Sequence, residues 1–188
     1  QGLFTAARVW WLFRLFGHER VAIMEGGFPA WEAANLPTSP GEAPSLQTEP
    51  YSAAFNDALY ASYRDVDGAV RAQDVTIFDA RSAGRFSGAE PEPRPNLPSG
   101  HMPGAINIPF NLLIESATGG FKSKDQLRNI FGDSLSIEQG IITTCGSGVT
   151  ACVLALALYH LGITARVYDG SWAEWASQPD ANIRVLSP

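Results

Sequence analysis

At 188 residues, with 45% hydrophobic and 17% charged positions, the chain has the size and make-up of one globular domain and part of another. Its net charge of -6, without any basic stretch interleaved with aromatics, argues against nucleic-acid binding. The longest apolar stretch, Gly2 to Phe16, is broken by Arg8 and Arg14 and is too short to span a bilayer, and neither end carries a signal-peptide or lipidation pattern.

In chain order, ARVWWLFRLF (7–16) reads as a helix. Trp10, Trp11, Leu12, Phe13, Leu15 and Phe16 leave it almost no polar face, so burial on more than one side is expected. A short strand, an acidic-Gly turn and an aromatic helix follow in GHERVAIMEGGFPAWEAANLP. Residues 37–50, rich in Pro, Ser and Glu, read as an extended linker. From residue 51 to 188 strands and helices alternate. SYRDVDGAVRA is predicted helical, VTIFD a buried strand, AINIP a short strand and SKDQLRNIF a helix whose Ser123 and Gln126 have capping-box spacing. GIITT is a strand, Val149 to Leu161 an apolar helix and ARVYD a strand. SWAEWAS is a last helix, with Ser171 and Glu174 spaced as a second capping box. Continuous apolar strands alternating with helices imply an α/β fold, a mainly parallel sheet covered on both faces.

The two ends of the chain repeat each other. Gly26, Phe28 and Trp31 stand 144 residues before Gly170, Trp172 and Trp175, in matching contexts of helix, glycine, strand, acidic-Gly and aromatics. In that register Gln1 answers to Cys145. The expectation is that residues 1–36 are the C-terminal part of a first copy, whose remaining front would belong to the same protein, and that residues 51–188 form a second copy.

The stretch TTCGSGVTAC concentrates the chemistry. A strand, a sharp loop and a helix place Cys145 at the carboxyl edge of the sheet, where open α/β folds bind their ligands. Gly146 and Gly148 permit backbone angles that let the amides of residues 146–151 turn inward at a helix N-terminus and cradle negative charge. Such surroundings favour a thiolate, the nucleophilic form. Cys152, amid Ala151, Val153 and Leu154, reads instead as a buried apolar residue. The spacing of the two cysteines fits neither a disulfide framework nor C-x-x-C, so reduced thiols in a cytoplasmic compartment are expected. A C-x5-R phosphatase is excluded because Ala151 stands where its arginine would be, and the loop lacks the lysine of a nucleotide-binding P-loop. Two cysteines and three dispersed histidines offer no metal-ligand spacing, and no cofactor is implied.

These motifs resemble the rhodanese family of sulfurtransferases, and within it the two-domain members that use 3-mercaptopyruvate. GHMPGAINIP (100–109) is similar to one family signature, ARVYDGSWAEW (165–175) to another, and CGSGVT (145–150) to the mercaptopyruvate-using subgroup, whereas thiosulfate users carry basic residues after the cysteine. The fold implied is a rhodanese-like domain, preceded by the C-terminal remnant of a duplicate. By this resemblance Cys145 becomes a persulfide and passes its outer sulfur to thioredoxin, a small thiol or cyanide, with the loop residues Gly146, Gly148, Val149 and Thr150 around the substrate. It also implies that Arg85 and Arg94, in DARSAGRFSGAEPEPR, hold the donor's carboxylate and carbonyl, a role for which a guanidinium fork is suited. Arg81 is read as pairing with Asp79, a supporting residue at the strand end. Ser147 is implied in a proton relay with a first-domain histidine and aspartate, but none of His18, His101 and His160 matches that histidine. His101 is read as structural and His160 as a surface residue at a helix end. A thiosulfate:cyanide sulfurtransferase and a sulfur-carrier module without turnover are the alternatives.

Overall fold

The computed structural model describes residues 3–42, 50–135 and 139–186. Gln1 and most of the predicted linker, residues 43–49, lie outside the described residues. Five short strands, β1 (Tyr60–Ala61), β2 (Thr76–Asp79), β3 (Ile106–Asn107), β4 (Ile141–Thr144) and β5 (Arg166–Tyr168), pair in the order β1-β5-β4-β2-β3, every pair parallel. Such a sheet must be covered on both faces. Alternate residues of the central strands divide accordingly. Ile77, Ile142 and Tyr168 join one core with Val66 and Val70 of α3 (Tyr63–Ala72) and Trp172 and Trp175 of α7 (Ser171–Trp175). Phe78, Ile141 and Val167 join another with α1 (Leu3–Leu15), α5 (Lys124–Phe131) and α6 (Ala151–His160).

Local chemistry starts the helices where the backbone needs it. The predicted box at α5 is present: Ser123 accepts from the Gln126 amide, and the Gln126 side chain accepts from the Ser123 amide. α3 uses the same device through Ser62 and Asp65. The box predicted at Ser171 and Glu174 is absent, because the Ser171 hydroxyl is engaged elsewhere, as described below. α6, apolar all round, lies between the sheet and α1, which explains why it needs no polar face. It begins at Ala151, two residues later than predicted, because Gly148 takes φ +76 and Val149 and Thr150 form a turn. A short helix, α4 (Ala83–Ser87), follows β2 and carries Arg85.

α1 buries Ala7, Trp10, Trp11 and Leu15, a single stripe that faces α6. Trp11 donates its Nε1–H to the Leu59 carbonyl at 3.0 Å, and the Trp10 ring lies 5.1 Å from that of Tyr159. The expectation of burial on a second side is not met among the described residues, since Val9 and Phe13 are about half exposed at 50% and 48%. The strand expected before Gly26 is also absent: residues 18–24 form none, as no strand among the described residues lends them a hydrogen-bonding edge. α2 (Gly27–Ala33) does form. Among the described residues, no helix is long and apolar enough to cross a membrane.

Leu154 is fully buried in α6. Leu154→Ala is expected to lower the unfolding free energy by about 2–5 kcal/mol, read from the midpoint of urea denaturation at an unchanged m-value.

Candidate active site

Parallel register brings the chemistry-bearing residues to one edge. Asp79 lies beside Thr144 on β4 and Asn107 on β3, and the Ala80 amide donates to the Thr144 carbonyl at 2.9 Å. Cys145 therefore opens its loop next to the Ala80–Arg81 segment, and on the other side β5 delivers Asp169, Gly170 and Ser171 to the same edge.

Ser171 is the hub of the loop. Its Oγ accepts from the Cys145 amide at 3.2 Å and from the Gly148 amide at 3.0 Å, and it donates to the Tyr168 carbonyl at 2.8 Å. A hydroxyl has one proton and two lone pairs, so these three bonds use it completely. Its 4.0 Å approach to the Cys145 Sγ is a contact, not a second donation. Ser171 holds φ +51 to make the turn, a left-handed conformation unusual for a residue with a Cβ. From the start of α7, the Trp172 amide donates to the Cys145 carbonyl at 2.9 Å and the Ala173 amide to the Gly146 carbonyl at 3.1 Å. The S-x-x-E spacing points to a helix cap at Ser171, whereas its place three residues past the end of β5, the neighbour of β4, points to the loop instead.

Cys145 is 2% exposed, and its Sγ accepts from the Ser147 amide at 3.4 Å. The expected cradle is thus narrower than the run 146–151, because the Gly148 amide is spent on Ser171. The amides of Gly146, Val149 and Thr150 have no acceptor among the described residues and stay available for an anion beyond the sulfur. Crowding and backbone angle together require glycine at 148, where φ is +76 and a Cβ would lie 2.6 Å from the Asp169 carbonyl oxygen; at Gly146 a Cβ would meet only the movable end of Arg85, Nη2 at 2.7 Å. Arg8, on α1, reaches the same loop. It pairs with Asp169 and donates to the Gly148 carbonyl at 3.4 Å.

The arginines divide into a strut and two loop contacts. Arg81 is fully buried, bonded to Asp79 through Nε and Nη2, to the Gly100 carbonyl and to Glu92, with its guanidinium 4.2 Å from the Trp172 ring centre. Asp79 thereby supports the edge, as expected, and also accepts from the Arg81 amide at 2.9 Å. Arg94 is exposed and donates to the Gly146 carbonyl at 3.0 Å. Arg85 sits against Gly146 while Glu92 accepts from its Nε at 3.1 Å and its Nη2 at 2.6 Å. Its Nη1 has no acceptor among the described residues.

Cys152 is buried, its thiol donating to the Gly148 carbonyl at 3.1 Å. Burial pushes that thiol up to about 12, with nearby Arg8 opposing. Both cysteines are free. His101 is buried, stacked on Phe86 and bonded to its carbonyl, and His160 ends α6 at the surface. Among the described residues, no cluster of ligating side chains could hold a metal ion.

A parallel α/β sheet with a cysteine at the carboxyl end of its central strand, inside a glycine loop at a helix start, defines the class. The chain belongs to the rhodanese-like domain family, whose profile matches residues 62–178. A 3-mercaptopyruvate sulfurtransferase of Rattus norvegicus is 41% identical over 184 residues, covering 96% of this chain and 61% of that protein. A thiosulfate sulfurtransferase of the same species is 40% identical over 188 residues, covering 98% of this chain and 62% of that protein. The crystal structure of SseA from Escherichia coli, described as a 3-mercaptopyruvate sulfotransferase with the rhodanese fold, matches with a TM-score of 0.77 at 40% identity, covering 92% of this chain and 64% of that one. The chain therefore spans about three fifths of the length of these relatives. Identities of 41% and 40% do not choose between sulfur donors, so the donor must be argued from the loop.

Two outcomes follow from this geometry. Ser171→Ala strands the Cys145 and Gly148 amides and the Tyr168 carbonyl. It should cost about 1–3 kcal/mol of stability and speed exchange of the Gly148 amide proton, read by denaturation and hydrogen exchange. The raised Cys152 thiol keeps its proton in the folded state after the unfolded chain has lost it, so its contribution is complete below about 9 and is lost as pH climbs towards about 12. Cys152→Ala should flatten the fall in stability across that window, measured by urea titration at successive pH values.

Proposed function

We propose that this chain carries the catalytic domain of a sulfurtransferase that moves the sulfane sulfur of 3-mercaptopyruvate through a Cys145 persulfide to a thiol or cyanide, releasing pyruvate. The observation that carries the reading is the cysteine loop at the sheet edge: the Ser147 amide on the Cys145 sulfur, loop amides without acceptors among the described residues, and Arg85 and Arg94 against Gly146. The Cys145 thiolate attacks the donor sulfur, and the carbon–sulfur bond breaks with its electron pair passing to carbon. That pair is delocalised into the neighbouring carbonyl as an enolate, which takes a proton to become pyruvate. The sulfur stays on Cys145. An acceptor thiolate then attacks the outer sulfur, and the sulfur–sulfur pair returns to Cys145, on whose Sγ the Ser147 amide already donates.

Arg85, through its free Nη1, and Arg94 are the groups we assign to the donor's carboxylate and carbonyl, next to the Gly146 carbonyl that Arg94 already touches. Ser147 contributes the amide at the sulfur, and Gly146, Val149 and Thr150 contribute amides for the incoming or outgoing sulfur. Thioredoxin or a small thiol is the proposed acceptor, and the two free thiols favour a reducing, cytoplasmic setting. The proposed division places residues 1–36 as the end of a preceding rhodanese-like domain, 37–50 as linker and 51–188 as the catalytic domain. It is supported by α2 and α7, which start at positions 144 apart with φ +61 at Gly27 and +51 at Ser171.

Thiosulfate remains the second donor, favoured by the likeness to the rat thiosulfate enzyme. The Gly-Ser loop brings no cation of its own, which disfavours a dianion relative to a monoanion.

Incubation with 3-mercaptopyruvate is expected to add the mass of one sulfur atom, localised by peptide mapping to Cys145 and lost in Cys145→Ser. Arg85→Ala and Arg94→Ala should each raise KM for mercaptopyruvate roughly 10- to 150-fold, the value of one charge-assisted hydrogen bond. An unchanged KM in both variants contradicts the assignment.

A further inference from the structure

Arg8, on α1, bonds the cysteine loop, yet the sulfur chemistry gives it no task. Its guanidinium lies 4.7 Å over the Trp11 ring, pairs with Asp169 and donates from Nη1 to the Gly148 carbonyl at 3.4 Å. The same carbonyl accepts the Cys152 thiol proton at 3.1 Å. Arg8 and Asp169 are opposite in charge, so the pair adds little net charge to the loop. What it contributes is direction.

A carbonyl and the amide that follows it are two ends of one planar unit, and in the trans form they point opposite ways. No cis peptide occurs among the described residues. The Gly148 oxygen, turned towards Arg8 and Cys152, therefore sends the Val149 N–H to the other side, where it has no acceptor among the described residues. Gly148 holds φ +76, and glycine is the residue after which a peptide turns over most cheaply. The Ser171 hydroxyl fixes the preceding peptide through the Gly148 amide, but does not hold this one. Turned over, the Val149 N–H would face a guanidinium, which has donors only, and a thiol, which is a weak acceptor. The clamp on the carbonyl opposes that flip.

We infer that Arg8 is a positioning residue for sulfur transfer: by holding the Gly148 carbonyl it keeps the Val149 N–H turned towards the sulfur carried on Cys145. The inference rests on the sulfurtransferase reading and deepens it. Arg8 touches neither donor nor sulfur, and acts through a peptide that meets the sulfur's charge. It stands outside residues 62–178, which match the family profile, so the segment before that match sets a peptide within it.

The test compares the full-length wild type, Arg8→Met and Arg8→Lys with 3-mercaptopyruvate as donor. Losing one amide bond to an anionic sulfur should lower kcat of Arg8→Met roughly 10- to 100-fold. KM should stay within about threefold, because the donor's contacts at Arg85 and Arg94 are untouched. Arg8→Lys, which keeps the charge but loses the planar fork, should fall between. In the nuclear magnetic resonance spectrum the Val149 amide proton should move downfield when the wild type is loaded with sulfur, and hold its place in Arg8→Met. A wild-type kcat in Arg8→Met, or a loss shared by KM with the Val149 shift retained, overturns the role of Arg8 alone. A wild type that loads no sulfur on Cys145 overturns both readings. Should Arg8→Met fail to fold, Arg8→Lys decides: a lowered kcat at unchanged KM supports the inference, and a wild-type kcat overturns it.

Discussion

The loop after β4 must satisfy two opposed demands, and the Ser171 hydroxyl reconciles them. Amides have to remain free near the Cys145 sulfur, but a buried loop with unpaired polar groups costs about 1–3 kcal/mol for each one. The hydroxyl takes two loop amides and returns its proton to β5, and the first amides of α7 take the carbonyls of Cys145 and Gly146. The loop is thus held largely by partners outside itself. Among the described residues the amides left unpaired in this loop are those of Gly146, Val149 and Thr150, beside the Ser147 amide that donates to the sulfur; donors fixed in advance need no reorganisation when a charge arrives.

The rest of the architecture supplies that arrangement. Parallel register aligns the ends of β2, β4 and β5, so one edge receives the cysteine loop, the Asp79–Arg81 strut and the Ser171 turn. Trp172 links two of these: its amide holds the Cys145 carbonyl while its ring carries the Arg81 guanidinium. Arg81 passes the constraint through Glu92 to Arg85. α1 lies outside the residues that match the family profile, yet Arg8 reaches the Gly148 carbonyl and Asp169. The position of the cysteine loop is therefore tied to packing of the first helix, through its stripe against α6.

Legibility in the sequence followed locality. The cysteine loop was readable because an apolar strand, two glycines and an apolar helix are contiguous, and the Ser123–Gln126 box because its partners are three residues apart. Arg81 and Asp79 were readable as a pair for the same reason. Ser171 was misread because S-x-x-E is a genuine helix-start pattern, and only the neighbouring strand shows that the hydroxyl turns to residues 145 and 148. Glu92 left no periodic signal, since its partners come from β2's end and from α4. The strand expected before Gly26 failed for a kindred reason: a strand exists only with a neighbour, and apolar residues alone do not provide one.

A high-resolution crystal structure of the protein soaked with 3-mercaptopyruvate tests the preset amide ring most directly. The account predicts a second sulfur bonded to Cys145 Sγ, within hydrogen-bonding distance of at least two of the Gly146, Val149 and Thr150 amides, with the Ser171 bonds unchanged. A second sulfur pointing into solvent with those amides unengaged, or sulfur carried on Cys152 instead, would contradict it.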